Sequence, residues 1–173
     1  MNSINNETAA VYTTEQTAIE SINAKLKAKE DAVIERALKI CKSRLVEFGD
    51  YFLSPDVTVK YCQLLLANEE IEHFHVLFLN NQNRLITDER MFSGSIDSAS
   101  VYPREVVKAC LKHNAAAVIL THNHPSGSQD ISDCDKRITA KLKEALQTID
   151  VRVLDHIIVA GTATVSFANE HLM

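Results

Sequence analysis

Two imidazoles and a carboxylate stand at short, fixed offsets near the middle of the chain: His122, His124 and Asp135, with Ser132 three residues before the carboxylate. Residues of these types can hold a divalent metal. Breaking an amide requires a nucleophile at neutral pH and a partner for the oxyanion it creates, and one zinc ion with three protein ligands and an open position serves both needs. The apolar run Ala115-Ala116-Ala117-Val118-Ile119-Leu120-Thr121 reads as a buried strand ending at His122. Residues i and i+2 of a strand share a face, so His122 and His124 converge on one ion. Pro125 stops the strand, and Ser126-Gly127-Ser128 supplies a turn. From Ser132 the apolar positions Ile138, Leu142, Ala145, Leu146 and Ile149 take helical spacing, which puts Asp135 in a first helical turn facing back toward the loop. Ser132-x-x-Asp135 is equally a capping box, which needs no metal. Capping and ligation are compatible, since the serine can cap while the aspartate binds.

Hydrolysis also needs a base that takes a proton from water and delivers it to the leaving nitrogen, and glutamate is the usual carrier. Glu69, Glu70 and Glu72 lie just before a strand expected from Phe74, and Glu72 is favoured because it immediately precedes that strand. Its alternative is the solvent-facing end of a helix-to-strand connection. Cys134 adjoins Asp135, and a thiolate binds zinc, but consecutive residues at a helix start point about 100° apart; Cys134 is read as packing. His156, beside Asp155 on a strand from Val153 to Val159, is open between a hydrogen-bonded core histidine and a role behind the metal ligands or toward substrate. His73, His75, His113 and His171 receive no role. Glu105 at a helix start complements the dipole, which leaves Arg104 unexplained.

The elements that must position these residues follow from periodicity. Residues 1–14, rich in Asn, Thr and Ser, read as a disordered tail. Residues 15–48 carry a helical stripe of Ile19, Ile22, Leu26, Val33, Ala37, Leu38, Cys41 and Leu45, as one helix or two with a break near Lys29, ended by Gly49. Ser54-Pro55 opens a second helix through Leu66. Phe74 to Leu79 and Arg84 to Phe92 read as a hairpin around Asn80 to Asn83, followed by a loop from Gly94 to Ala99. Pro103 to Asn114 reads as a helix with Val106, Val107, Ala109, Cys110 and Leu111 facing inward, and Val151 to Ala160 with Thr164 to Phe167 as a final hairpin around Gly161. The expected fold class is α/β: one mixed sheet flanked by helices, with a tail over 1–14, an N-terminal helical segment over 15–67 and a catalytic domain over 68–173.

Composition narrows the function classes. The 173 residues are 46% hydrophobic, which suits a packed domain rather than global disorder. Eighteen Lys plus Arg against 23 Asp plus Glu give a net charge of −5, where an extended phosphate-binding surface would show a basic excess. Lys136, Arg137, Lys141 and Lys143 follow the site at helical spacing and read as a solvated face. Cys41, Cys62, Cys110 and Cys134 lack CxxC spacing and read as reduced thiols of a cytoplasmic protein. Neither a signal peptide nor a membrane-length apolar run is found, so the expectation is a soluble, intracellular chain without membrane contact.

His122-x-His124, seven residues, Ser132, two residues and Asp135, with a glutamate upstream, resembles the JAMM signature of the JAB/MPN metallopeptidase superfamily. The wider stretches Val101-Tyr102-Pro103-Arg104-Glu105-Val106-Val107-Lys108, Asn114 through Gly127, and Val153-Leu154-Asp155-His156 resemble the bacterial RadC branch over roughly residues 30 to 170. The resemblance implies a JAB/MPN-like, cytidine-deaminase-like architecture and one zinc ion per chain on His122, His124 and Asp135. It further implies Glu72 as general base, Ser132 as oxyanion donor, and a bacterial, cytoplasmic setting. Longer RadC proteins carry an N-terminal helix-hairpin-helix region for which this chain has no room. The leading expectation is therefore a zinc metallopeptidase or isopeptidase acting on a peptide or isopeptide substrate. The alternatives are a DNA-repair or DNA-transaction accessory with a structural or relic metal site, and a metal-dependent nuclease. Self-association through the N-terminal amphipathic helix is a further expectation.

Overall fold

The computed structural model of the chain describes residues 3–47, 55–94 and 101–173, and in the first helix the side chains of residues 16–43. The elements run α1 (Ser3–Glu47), α2 (Pro55–Leu66), β1 (His73–Leu79), β2 (Leu85–Ser93), α3 (Pro103–His113), β3 (Ala117–Asn123), α4 (Asp133–Gln147), β4 (Arg152–Ala160) and β5 (Ala163–Ser166). The five strands form one sheet in the order β2-β1-β3-β4-β5. β3 and β4 pair in parallel, joined across by α4, and the other neighbours are antiparallel. This is the mixed sheet flanked by helices that the periodicity implied.

Position in the sheet explains why β1 and β3 read as continuous apolar runs. Both are central, and every residue of both is buried, as expected when helices cover the two faces of a sheet. Even-numbered positions Phe74, Val76, Phe78, Val118 and Leu120 share one core with Val106, Ala109 and Cys110 of α3 and Leu142 and Leu146 of α4. The opposite face meets α2, which packs on β3, β4 and β5 and buries Tyr61, Cys62 and Leu66. By the same alternation His122 belongs to the α3/α4 face, whereas His75, Thr121 and Asn123 belong to the α2 face.

Several expectations are corrected. Residues 3–14 are not a separate tail: their backbone is continuous with α1. The segment from Ser3 to Glu47 contains neither Gly nor Pro, and extending a helix already formed avoids the nucleation that an isolated segment would need. For the same reason α1 has no break at Lys29. The chain divides into two compact units, Met1–Lys39 and Ile40–Met173; α2, grouped on sequence with the N-terminal helices, lies in the second because its apolar face is the cover of the sheet. Within the first unit Ile19, Ile22, Leu26 and Val33 are exposed. Leu111 is 64% exposed, because the inward face of α3 is set by Val106, Ala109 and Cys110, from which position 111 is turned by a further 100° or so. The final strand begins one residue early, at Ala163, after a turn in which Gly161 has φ +61°. Gly49, Ser54 and the loop over 95–99 lie outside the described residues. Among the described residues no helix is long and apolar enough to cross a membrane.

Candidate metal centre

Three elements meet at the C-terminal end of β3. His122 pairs with Phe74 on β1 and with Ile158 on β4, which fixes its backbone between two neighbours. His124 extends the ladder by one bond, its N–H donating to the Val159 carbonyl at 2.8 Å. The chain then turns at Gly127, whose φ of +75° favours glycine and whose N–H donates to the His124 carbonyl at 2.9 Å. α4 enters through a complete capping box: Asp135 N donates to Ser132 Oγ at 3.1 Å, and Ser132 N donates to Asp135 Oδ2 at 2.9 Å. The Ser132 hydroxyl also donates to Asp135 Oδ2, at 2.7 Å.

The result is a tight convergence. His122 Nε2 and His124 Nε2 lie 3.1 Å apart, Asp135 Oδ1 is 3.2 Å from the first and Oδ2 is 3.8 Å from the second. His122 is fully buried and Asp135 is 1% exposed. A half-buried Glu72 joins them, so that ligand atoms of Glu72, His122 and His124 all lie within 4.8 Å of one another. Burial alone would push the Asp135 carboxyl up, but the hydrogen bond and charge of His122, with the donors of Ser132, outweigh it and hold the group well below the usual carboxylate range. Burial pushes the His156 imidazole well below its ordinary value.

The donor set fits a zinc ion. Four ligands at ~2.0–2.1 Å in a tetrahedron are separated by about 3.4 Å, close to the 3.1 Å between the two imidazole nitrogens, and Asp135 offers a different oxygen to each ring, Oδ1 at 3.2 Å to His122 and Oδ2 at 3.8 Å to His124. His124 is also in the ligating tautomer. Its Nδ1 is 2.8 Å from the Ser128 carbonyl, which can only accept, so Nδ1 carries a proton and Nε2 is the nitrogen left for a metal. That nitrogen faces a second ring nitrogen and a carboxylate.

The second carboxylate reaches the centre from β1, the neighbour of β3 on the side away from β4. Glu72 precedes β1, and the segment carrying it is held by Asn123: Asn123 Oδ1 accepts from His73 N at 2.8 Å, and its amide donates to the carbonyls of Ile71 at 2.9 Å and Glu69 at 3.3 Å. Gly94 N adds a bond to the Glu72 carbonyl at 2.9 Å. Of the three candidate glutamates, Glu69 is instead engaged with His73 Nε2 at 3.1 Å and Arg90 at 3.6 Å, and Glu70 is exposed. Sequence reasoning missed Asn123. The available signal was an amide inside an apolar strand, aimed at the covered face, where its polar atoms must find partners.

Other candidates fall elsewhere. Cys134 Sγ accepts from Arg137 Nη2 at 2.8 Å, and Arg104 has a mostly exposed side chain beside Glu105 at 4.0 Å. His113 pairs with Glu89 at 2.7 Å. His156 is fully buried, with Nε2 2.8 Å from His122 Nδ1 and Nδ1 2.6 Å from Thr139 Oγ1. Phe74 stacks against His122 with ring centres 6.2 Å apart.

The sequence pattern of the RadC-like JAB domain matches residues 52–172. A UPF0758 protein of Vibrio cholerae serotype O1 is 51% identical over 140 residues, covering 81% of this chain and 88% of that protein. A UPF0758 protein of Vibrio atlanticus is 54% identical over 120 residues, covering 69% of this chain and 54% of that protein. One of Pseudoalteromonas translucida is 57% identical over 142 residues, covering 82% and 63% respectively. The chain thus spans between half and two thirds of these two longer relatives. By domain pattern and by identity over most of its length, the chain belongs to the RadC-like JAB domain family, as its motif implied.

Proposed function

We propose that this protein is a zinc-dependent hydrolase of peptide or isopeptide bonds. The observation that supports it best is the meeting of His122 Nε2, His124 Nε2 and the Asp135 carboxylate within 3.1 to 3.8 Å, with Glu72 close by. The JAB superfamily includes metallohydrolases, which agrees with that chemistry. His122, His124 and Asp135 would hold the ion, and Glu72, no more than 4.8 Å from the imidazole nitrogens, would stand at the distance of a group acting through one water. Zinc supplies a Lewis acid that makes water nucleophilic near neutral pH and polarises a carbonyl. Glu72 accepts the proton of the attacking water and returns it to the leaving nitrogen. Asn123, bonded at Ile71 and His73 on either side of Glu72, and Gly94, bonded to the Glu72 carbonyl, hold the backbone that carries that carboxylate. Ser132 has a single hydroxyl proton, and here it goes to Asp135 Oδ2. To serve an oxyanion the hydroxyl must turn from the aspartate to the substrate, and a donor so placed is worth roughly 10²- to 10³-fold in rate. Arrangement on the ends of strands and a capped helix, rather than on loops, suits such a site.

The test is cleavage of a mixed peptide panel and a panel of isopeptide-linked conjugates by zinc-loaded protein, read by mass spectrometry. Chelator-sensitive cleavage that Glu72→Gln abolishes while zinc stays bound is the expected result. No cleavage in either panel, or cleavage indifferent to chelator, overturns the proposal.

A further inference from the structure

We propose that Thr139 and His156 are positioning residues that fix the proton of His122 on Nδ1 and thereby dedicate its Nε2 to the metal. This rests on the metal-centre reading above, but it concerns the tautomer of one ring, which can be observed without metal.

The direction of each bond follows from what its partners can do. The Thr139 hydroxyl lies 2.6 Å from the Asp135 backbone carbonyl, one helical turn earlier. A carbonyl only accepts, so the hydroxyl proton is committed there. Thr139 Oγ1 can then only accept from its other neighbour, His156 Nδ1, at 2.6 Å. His156 Nδ1 therefore carries a proton. At the opposite nitrogen, His156 Nε2 and His122 Nδ1 lie 2.8 Å apart and share one proton. Were it on His156, that ring would be an imidazolium, fully buried between Phe74 and Phe167 at ring-centre distances of 5.6 and 4.7 Å. A buried cation walled by aromatic rings with no carboxylate on either nitrogen is strongly disfavoured. The proton belongs to His122 Nδ1, which leaves His122 Nε2, beside His124 and Asp135, as the nitrogen available to a metal. A ligated His122 requires the same order, because coordination through Nε2 leaves the proton on Nδ1.

The chain closes into a ring. It starts at the backbone of Asp135, passes through Thr139 and His156 to His122, and returns across the metal position to the Asp135 carboxylate. α4 thus supplies a ligand and, four residues on, the hydroxyl that orients another ligand on β3 by way of β4. His124 needs no such relay because a loop carbonyl, Ser128, sets its tautomer directly.

Two measurements test this. Long-range ¹⁵N–¹H spectra of metal-free protein report the His122 tautomer: an Nδ1–H form in the wild type that gives way to a mixture in Thr139→Val is expected, and a wild-type Nε2–H form overturns the inference. Zinc affinity, measured by chelator competition with zinc alone, is expected to fall about 10- to 100-fold in Thr139→Val and to be restored in Thr139→Ser, with melting curves used to verify that each variant is folded. His156→Phe, which keeps an aromatic ring between Phe74 and Phe167 but cannot accept, is expected to lose zinc affinity like Thr139→Val. Wild-type zinc binding that neither variant weakens overturns the positioning role and leaves the metal centre standing. Wild type that binds no zinc overturns the metal centre instead, and the tautomer spectrum then still decides the relay.

Discussion

His75 gives this fold a built-in acid sensitivity whose size can be worked out. The residue sits on β1, on the face covered by α2, is 5% exposed, and has no hydrogen-bond partner at either ring nitrogen among the described residues. Burial, reinforced by Arg90 and His73 and opposed by Asp88, lowers its pKa from 6.5 to about 4. An unfolded chain therefore takes up a proton on His75 below about pH 6.5 that the native chain refuses until about pH 4. The stability contribution is complete above the unfolded value and is lost as pH falls through that window. At about 1.4 kcal/mol per pH unit the full loss sums to about 3.5 kcal/mol, a large part of the ~5–15 kcal/mol that holds a typical domain. The assay is urea unfolding followed by circular dichroism, in chelator to remove metal linkage, at steps from about pH 7.5 to about pH 4.5. Comparison with His75→Leu isolates the residue, since His156 and the other titrating groups remain in both proteins. The wild type is expected to lose about 2.5 kcal/mol more than the variant between about pH 7.5 and about pH 4.5. Parallel curves for the two proteins would refute the reasoning.

Asn123→Ala removes an amide that makes three hydrogen bonds to the segment carrying Glu72; urea unfolding is expected to show a loss of about 2–4 kcal/mol, with zinc binding retained and any cleavage activity depressed. Loss of zinc without loss of stability would contradict that role. Ser132→Ala removes the helix cap and a donor to Asp135, and a loss of about 1–2 kcal/mol is expected in the same assay on metal-free protein. No change in stability would mean that the capping bonds contribute nothing.

Local spacing makes the candidate site's His122, His124, Ser132 and Asp135 readable, while their supports leave no such trace. His122, His124, Ser132 and Asp135 fall within one strand, one turn and one helix start, where periods of 2 and 3.6 specify who shares a face. Glu72 could be narrowed to three candidates but not placed, because only the β1–β3 pairing carries that carboxylate to the imidazoles. His156 stayed open for the same reason: its partners are His122 on a parallel neighbour and Thr139 on the crossover helix, and neither relation leaves a trace in linear spacing. Asn123 was overlooked between two more reactive residues, although an amide in a buried strand requires partners. The composition over 1–14 reads as a tail because it carries no trace of the helix into which residues 3–14 continue. The place of α2 depended on which sheet face lacked a cover, a property of the assembled fold.

Metal content bears most directly on the central claim. Tag-free protein reconstituted with zinc and freed of excess should contain about one zinc per chain by plasma mass spectrometry, and His124→Ala and Asp135→Asn, each folded by its melting curve, should contain little or none. Wild-type protein that remains metal-free after reconstitution, or variants that hold as much zinc as the wild type, would contradict the assignment of His122, His124 and Asp135 as a metal centre.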